Sequence, residues 1–540
     1  MKRLLLVLLA LILALSCFAC GKKDGKDKND VPETEEPASK ANIVGWMTYG
    51  YDKILANVNP KAEEGNTFTV YLAKGETEGA QACVYSDTDL KGNTFELVSG
   101  NTEAISWVYY TTERVHTIKR KDWPDSLMPD KGKGFDITAE QVLTVYVDFT
   151  TTKDTPAGDY EFVYDLKAKD GKVLKTFTFK LHVWDFAIPE DRTFATSFGI
   201  NSTHAARFQS HYQQYYDSLL KHGISGTALP FDILDSQADA YMSDPRVTSF
   251  SVPCHSEITD EKLLQYYEKL KSNPVWFEKA YFYPIDEPSD MEQLNQYKAH
   301  VERLNRLCPG IGVIAPYYKN IKTGTNQDQT AFMDECGTTL WCPKLNFWDD
   351  KNVYGGENSP NYTGKTFEQR MKEMQESGDI VWTYVCNDPI DPYAQLFINT
   401  EGVNQRAMFW QIYQRDCTGF LYWGTTAWGY RDHGNIDPWK TSYNGVGDGD
   451  GRPVYGEGFL FYPGIKVGWY LPVESIRLKI CRDGIEDIEM FYLAEELLGE
   501  DWLKEKSREV TATLTTYCDD ATFDKVRIEI GNALEAALKK

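Results

Sequence analysis

Beyond Pro189, runs that read as strands alternate with runs that read as helices, and this alternation most limits the folds open to the 540-residue chain. Strand-like runs fall at 193–200, 224–229, 279–285, 311–317, 339–345, 380–386, 419–424 and 459–462. Helical periodicity falls at 205–221, 260–272, 290–307, 329–335, 365–376 and 401–415. Short apolar strands separated by amphipathic helices build a parallel sheet with the helices packed outside it. About eight such strands fit a decorated (β/α)8 barrel. A doubly wound sheet stays open as the alternative, because periodicity does not report closure.

In a barrel, residues just past the C-terminal strand ends converge on one site. The run Ala280 to Ile285 ends in two adjacent carboxylates, Asp286 and Glu287, and Pro288 then forbids simple continuation of the strand. Charges are costly in a core without partners, so this pair is expected where the strand opens into a cleft. Neighbouring strand residues point to opposite faces. Both acids therefore serve one pocket only if the backbone turns between them. The plainer reading is an acidic turn ahead of a helix, since Ser289 and Asp290 precede a helical pattern. Tyr317, Trp348, Trp382, Tyr384, Trp423 and Trp428 also lie near strand ends, where rings could wall a polyhydroxylated ligand. Ordinary core packing explains each of them equally well.

Residues 43–188 read as a β-sandwich domain: short strands separated by Gly, Asp and Thr turns, with clear alternation over Lys175–Leu181. Residues 189–500 are assigned to the barrel. Residues 501–540 form a C-terminal helical extension, its amphipathic helix expected on the barrel's outside. The fold class is thus multidomain β and α/β. The loop 429–458 is Gly-rich, and its Asp448-Gly449-Asp450-Gly451 lacks the full EF-hand spacing, so it reads as a turn rather than a calcium site. Ser475 can cap the next helix, and the charges of Arg482, Asp483, Glu486 and Asp487 read as organising local structure.

Residues 1–20 read as a lipoprotein-type signal: Met1-Lys2-Arg3, a Leu-rich run, then Ser16-Cys17-Phe18-Ala19-Cys20. Cys20 is the expected lipidated residue, with Cys17 the other candidate and a plain secretory signal cleaved nearby the alternative, and the charged, Pro-containing segment 21–42 is expected to form a flexible tether. These features place the chain on the extracytoplasmic side of a bacterial cell envelope, held to the membrane by its lipid. A net charge of −23 excludes a nucleic-acid backbone as partner. The nine cysteines outside the signal are odd in number and scattered, which is no disulfide framework, and Cys336 and Cys342 lack the histidines or second pair of a metal site. No HExxH occurs, and no metal or cofactor is expected.

Several motifs, taken in order, resemble DUF4091-containing bacterial proteins and the related family 123 glycoside hydrolases. They are Lys74-Gly75-Glu76-Thr77-Glu78-Gly79, Trp123-Pro124-Asp125, Val183-Trp184-Asp185-Phe186-Ala187-Ile188-Pro189, Tyr283-Pro284-Ile285-Asp286-Glu287-Pro288, Ser475-Ile476-Arg477-Leu478 and Arg482-Asp483-Gly484-Ile485-Glu486-Asp487. The resemblance, which spans roughly Ile43 to Leu498, implies an N-terminal sandwich, a catalytic barrel and hydrolysis of terminal β-linked N-acetylgalactosamine with retention. It implies Glu287 as general acid and Asp286 as the group orienting the 2-acetamido function in an oxazolinium intermediate. Tyr384 is added from its location as an acetamide donor. Two alternatives stand beside this reading: a β-N-acetylhexosaminidase for another 2-acetamido glycan, and a non-catalytic, lipid-anchored carbohydrate-binding protein. Neither the oligomeric state nor the natural aglycone is legible.

Overall fold

The computed structural model describes residues 42–116, 122–319, 328–349, 364–429, 436–448 and 451–539. The signal segment with Cys20, nearly all of the tether, and Gly449 and Asp450 of the turn lie outside the described residues.

Ten strands come first: β1 (Ile43–Tyr49), β2 (Thr67–Lys74), β3 (Thr77–Ser86), β4 (Leu90–Ser99), β5 (Ser106–His116), β6 (Asp122–Pro129), β7 (Phe135–Ile137), β8 (Val142–Thr150), β9 (Gly158–Lys167) and β10 (Val173–Ala187). They form two five-stranded sheets, in the orders β1-β3-β8-β5-β6 and β2-β10-β9-β4-β7. The alternation in β10 buries Phe177, Phe179 and Leu181 and leaves Thr176 and Lys180 exposed. The inward rings meet between the sheets, with Phe95 stacked on Tyr164 at 4.8 Å and Phe149 beside Phe179 at 5.2 Å. The sheets are not wholly antiparallel: β2 and β10 pair in parallel, Thr67 opposite Thr178. Parallel neighbours need a long crossover, and the whole run of β3 to β9 supplies it.

Seven further strands, β11 (Ala195–Phe198), β12 (Phe250–Val252), β13 (Ala280–Phe282), β14 (Gly312–Tyr317), β15 (Leu340–Pro343), β16 (Ile380–Val385) and β17 (Gly419–Tyr422), make a parallel sheet in the order β11-β17-β16-β15-β14-β13-β12. The expected strand at 224–229 is reduced to a link between the two edges. Phe198 N–H donates to Ser225 O at 3.0 Å, Thr227 N–H to Phe198 O at 2.9 Å, and Ser251 N–H to Thr227 O at 2.7 Å. Close packing limits this link: a Cβ on Gly226 would sit 2.7 Å from Tyr216. The expected strand at 459–462 is not a stave. Phe461–Tyr462 pairs antiparallel with Val473–Glu474, because a short apolar run does not name its partner. The result is a nearly closed seven-stranded barrel rather than eight regular repeats.

Tyr281, Ile314, Leu340, Cys342, Trp382, Tyr384 and Leu421 fill the barrel, with Tyr281 edge-on to Trp382 at 5.2 Å. Gly419 is required opposite that indole, where a Cβ would lie 2.6 Å away.

The helix Ile476–Leu498 follows Ser475, whose hydroxyl accepts Leu478 N–H at 3.2 Å. It is buried along nearly its whole length, charges included. Arg477 makes a two-pronged pair with Asp125 of β6 at 2.7 and 2.8 Å. Arg482 reaches Asp148 of β8 at 2.9 Å, and Lys479 reaches the same carboxylate at 2.8 Å. Asp487 binds Arg406 at 2.8 Å, and Arg406 binds Glu78 of β3 at 2.9 Å. The sandwich, the barrel and this helix therefore share one ionic core, to which the resembling motifs at 74–79, 123–125 and 475–487 contribute together with Asp148 and Arg406. The terminal helix Asp520–Leu538 does not sit simply on the barrel. It meets β10, where Trp184 Nε1–H donates to Asn532 Oδ1 at 2.9 Å, and its Arg527 binds Asp487 at 2.7 Å.

Candidate active site

After β13 the chain turns before its next helix. Asp290 caps that helix, Met291–Leu307, by accepting Gln293 N–H at 2.9 Å. Between strand and helix, Glu287 takes a φ of +43°, uncommon for a residue with a Cβ and held only where the surroundings demand it. This turn gives the two carboxylates different partners. Tyr283 OH donates to Asp286 Oδ1 at 2.8 Å, whereas Tyr384 OH donates to Glu287 Oε1. Tyr384 rises from the packed barrel interior on β16, so its hydroxyl is delivered from beneath the mouth.

Burial raises the Glu287 carboxyl. The Tyr384 hydrogen bond opposes this, Asp286 adds to it, Lys344 opposes it and Asp388 adds to it. Asp286 is also raised by the surrounding protein, against donation from Tyr283. The Asp286 side chain nevertheless keeps an edge open to water. The two acids thus differ in their hydrogen-bond partners, Tyr283 for Asp286 and Tyr384 for Glu287.

Lys344 follows β15, is buried, and pairs with Asp388 beyond β16. Buried Glu457 receives Trp423 Nε1–H and, at 3.2 Å, Tyr422 OH; burial pushes its carboxyl up to about 7. Cys386, just beyond β16, has its thiol raised by burial and by Glu287 and Glu457, and the pairing of Val385 with Tyr422 sets Cys386 beside Trp423 at the same end of the barrel.

Of the six aromatics expected at the site, Tyr384 touches Glu287 and Trp423 stands partly exposed on the rim after β17. The others serve packing. Tyr317 points outward from β14 and meets Phe347 at 5.4 Å. Trp348 lies edge-on to Phe367 at 5.0 Å. Trp382 is inside the barrel, and Trp428 is buried between Phe208 and Tyr215 with its N–H on Phe461 O at 2.9 Å. Sequence reasoning missed Tyr283, Lys344, Asp388 and Glu457. Lys344 obeyed the strand-end rule. Glu457 carried a subtler signal, lying between Gly456 and Gly458 with φ of +74° and +71°.

A cleft of about 580 Å³ lies elsewhere, between β5, β6, the helix Tyr212–Lys221 and residues 469–474; it contains neither acid.

None of the curated proteins compared matches the chain. A family 123 glycoside hydrolase from Clostridium perfringens, described through glycolipid glycan hydrolysis, superposes with a TM-score of 0.63 at 12% identity, covering 92% of this chain and 98% of that one. An FMN-binding beta-glucuronidase from Facaelibacterium prausnitzii L2-6 gives 0.21 at 10% identity, covering 64% and 53%. The seventh ScaB type I cohesin from Pseudobacteroides cellulosolvens gives 0.14 at 12%, covering 27% and 95%. Scores as low as the last two mark local likeness only. Residues 230–494, which hold the acid pair, match the family model described as "Glycoside hydrolase 123, catalytic domain", so this chain carries a region similar to that catalytic domain of the glycoside hydrolases.

Proposed function

We propose that the protein hydrolyses terminal β-linked N-acetylgalactosamine, with retention and with the substrate's own 2-acetamido group as nucleophile. One observation carries this reading: adjacent acids at the barrel mouth, turned apart so that a separate tyrosine holds each. Glu287 gives its proton to the glycosidic oxygen as the C1–O bond breaks. The acetamide oxygen closes on C1, and Asp286 balances the positive charge of the oxazolinium ring. Carboxylate Glu287 then takes a proton from water, which attacks C1 and reopens the ring with the β-configuration restored. Because the substrate supplies the nucleophile, no second protein carboxylate is needed at covalent-attack distance. Tyr384 has a single hydroxyl hydrogen, so donation to the acetamide oxygen would replace its bond to Glu287.

The test is hydrolysis of aryl β-GalNAc, aryl β-GlcNAc and matched non-acetamido glycosides by the full-length protein. Cleavage confined to the 2-acetamido substrates is expected, with GalNAc preferred. Glu287→Gln should lower kcat/KM on poor leaving groups by about a hundredfold or more and spare activated ones, as loss of a general acid does. Asp286→Asn should impair both. Saturable glycan binding without cleavage would overturn the enzymatic reading. We further propose export and anchoring through Cys20, supported by the sequence of residues 1–41. Cys20→Ala should move the protein from the membrane to the soluble fraction, and unchanged fractionation would reject that anchor.

A further inference from the structure

Glu457 is fully buried on the segment returning to the barrel, yet neither of its oxygens touches the mouth. One accepts Trp423 Nε1–H and the other Tyr422 OH, and Tyr422 OH in turn accepts Gly458 N–H at 2.9 Å. A side chain on Gly458 would collide with the Trp423 ring. The indole is therefore held at its N–H and abutted along its benzo edge. Phe397, Val446 and Val454 form a small apolar cluster against it. The segment that carries Glu457 is itself clamped. Asn444 donates to Glu457 O at 2.7 Å and to Ala427 O at 2.8 Å. Arg477 donates to Gly456 O at 2.7 Å while paired to Asp125 of the sandwich.

Trp423 itself sits on the rim, its backbone against Gly199 just past β11. An indole fixed at a binding mouth offers a sugar a flat apolar face without loss of rotamer freedom. A galacto-configured ring suits such a face, because its axial O4 leaves the C3, C4 and C5 hydrogens together on one side. A gluco-configured ring has no such continuous patch.

We propose that Glu457 is a positioning residue: its buried carboxylate locks Trp423 as the wall on which a galacto-configured 2-acetamido sugar stacks. This rests on the reading of the mouth as a 2-acetamido glycoside site and adds the group that selects the sugar. Glu457 acts through Trp423 and takes no part in proton transfer.

The test compares the full-length protein with Glu457→Ala, Glu457→Gln and Trp423→Phe. It measures calorimetric Kd for free N-acetylgalactosamine and N-acetylglucosamine, together with kcat and KM on the two aryl β-glycosides. Glu457→Ala should weaken N-acetylgalactosamine binding and raise KM about tenfold, and reduce the preference over the gluco sugar about fivefold, while kcat changes less than about threefold. Glu457→Gln keeps an acceptor for the indole and should stay within about threefold of the parent in every quantity. Trp423→Phe keeps a ring without the N–H and should show the same loss in smaller degree, which covers the case of Glu457→Ala failing to fold. Unchanged binding and selectivity in Glu457→Ala or Trp423→Phe would overturn the proposal. So would an equal collapse of kcat in Glu457→Ala and Glu457→Gln. A parent that binds the sugar without cleaving it refutes hydrolysis and leaves binding to judge Glu457; a parent that binds neither sugar refutes both.

Discussion

The hydroxyl of Tyr384 governs how readily Glu287 gives up its proton. A hydrogen bond to a carboxylate favours the charged form, so this contact pulls down a carboxyl that burial has raised. Tyr384→Phe should therefore raise the Glu287 pKa further. A general acid works while protonated, so the alkaline limb of kcat/KM should move to higher pH, by roughly half a unit to one unit for one hydrogen bond. A limb that stays put or moves to lower pH would exclude Glu287 as the acid. Residues at this scale were unequally legible. Asp286 and Glu287 were legible as an acid pair past a strand, beside the equally open reading of an acidic turn ahead of a helix. The tryptophans did not. Trp423 and Trp428 stand five positions apart after the same strand, yet one reaches the rim and the other is buried against Phe208. Their faces are set by a segment that only the folded chain brings over them.

Among the elements, the helix Ile476–Leu498 departs furthest from what its sequence implied. Charges at 482, 483, 486 and 487 read as local organisers, and the Ser475 cap was legible. Partners of the helix's arginines were not, because Asp125 and Asp148, which hold Arg477 and Arg482, lie more than 300 positions earlier. Pairing over that separation leaves no local pattern to read. Arg477→Met leaves Asp125 charged in a dry core and should cost about 3–5 kcal/mol in urea unfolding. Replacing Asp125 with Leu in the same chain should recover part of that loss, since the penalty lies in the orphaned charge. A cost under about 1 kcal/mol for the single change would contradict the ionic core described above.

The molecule as a whole is joined more tightly than a sandwich followed by a barrel. Asn42–Lys540 packs as one compact unit, and buried pairs cross from β6 and β8 into the helix Ile476–Leu498 and from β3 to Arg406. Calorimetry should show one unfolding transition; two separable transitions would mean that the sandwich stands alone. Cations hold Asp487 and Glu474 below the usual carboxylate range, overcoming their burial. Such groups stabilise the fold above the ordinary carboxylate pKa and lose that contribution as pH falls through their depressed values, so thermal stability should decline below about pH 4. The alternation of strands and helices made the barrel legible, whereas the reduced link at 224–227 depends on close packing that periodicity does not encode. The claim on which the account turns is that the substrate's amide, not water, first attacks the sugar. Proton NMR of aryl β-GalNAc hydrolysis in its first minutes tests it. β-N-acetylgalactosamine should appear first, before mutarotation; α-product at the outset would contradict attack by the amide.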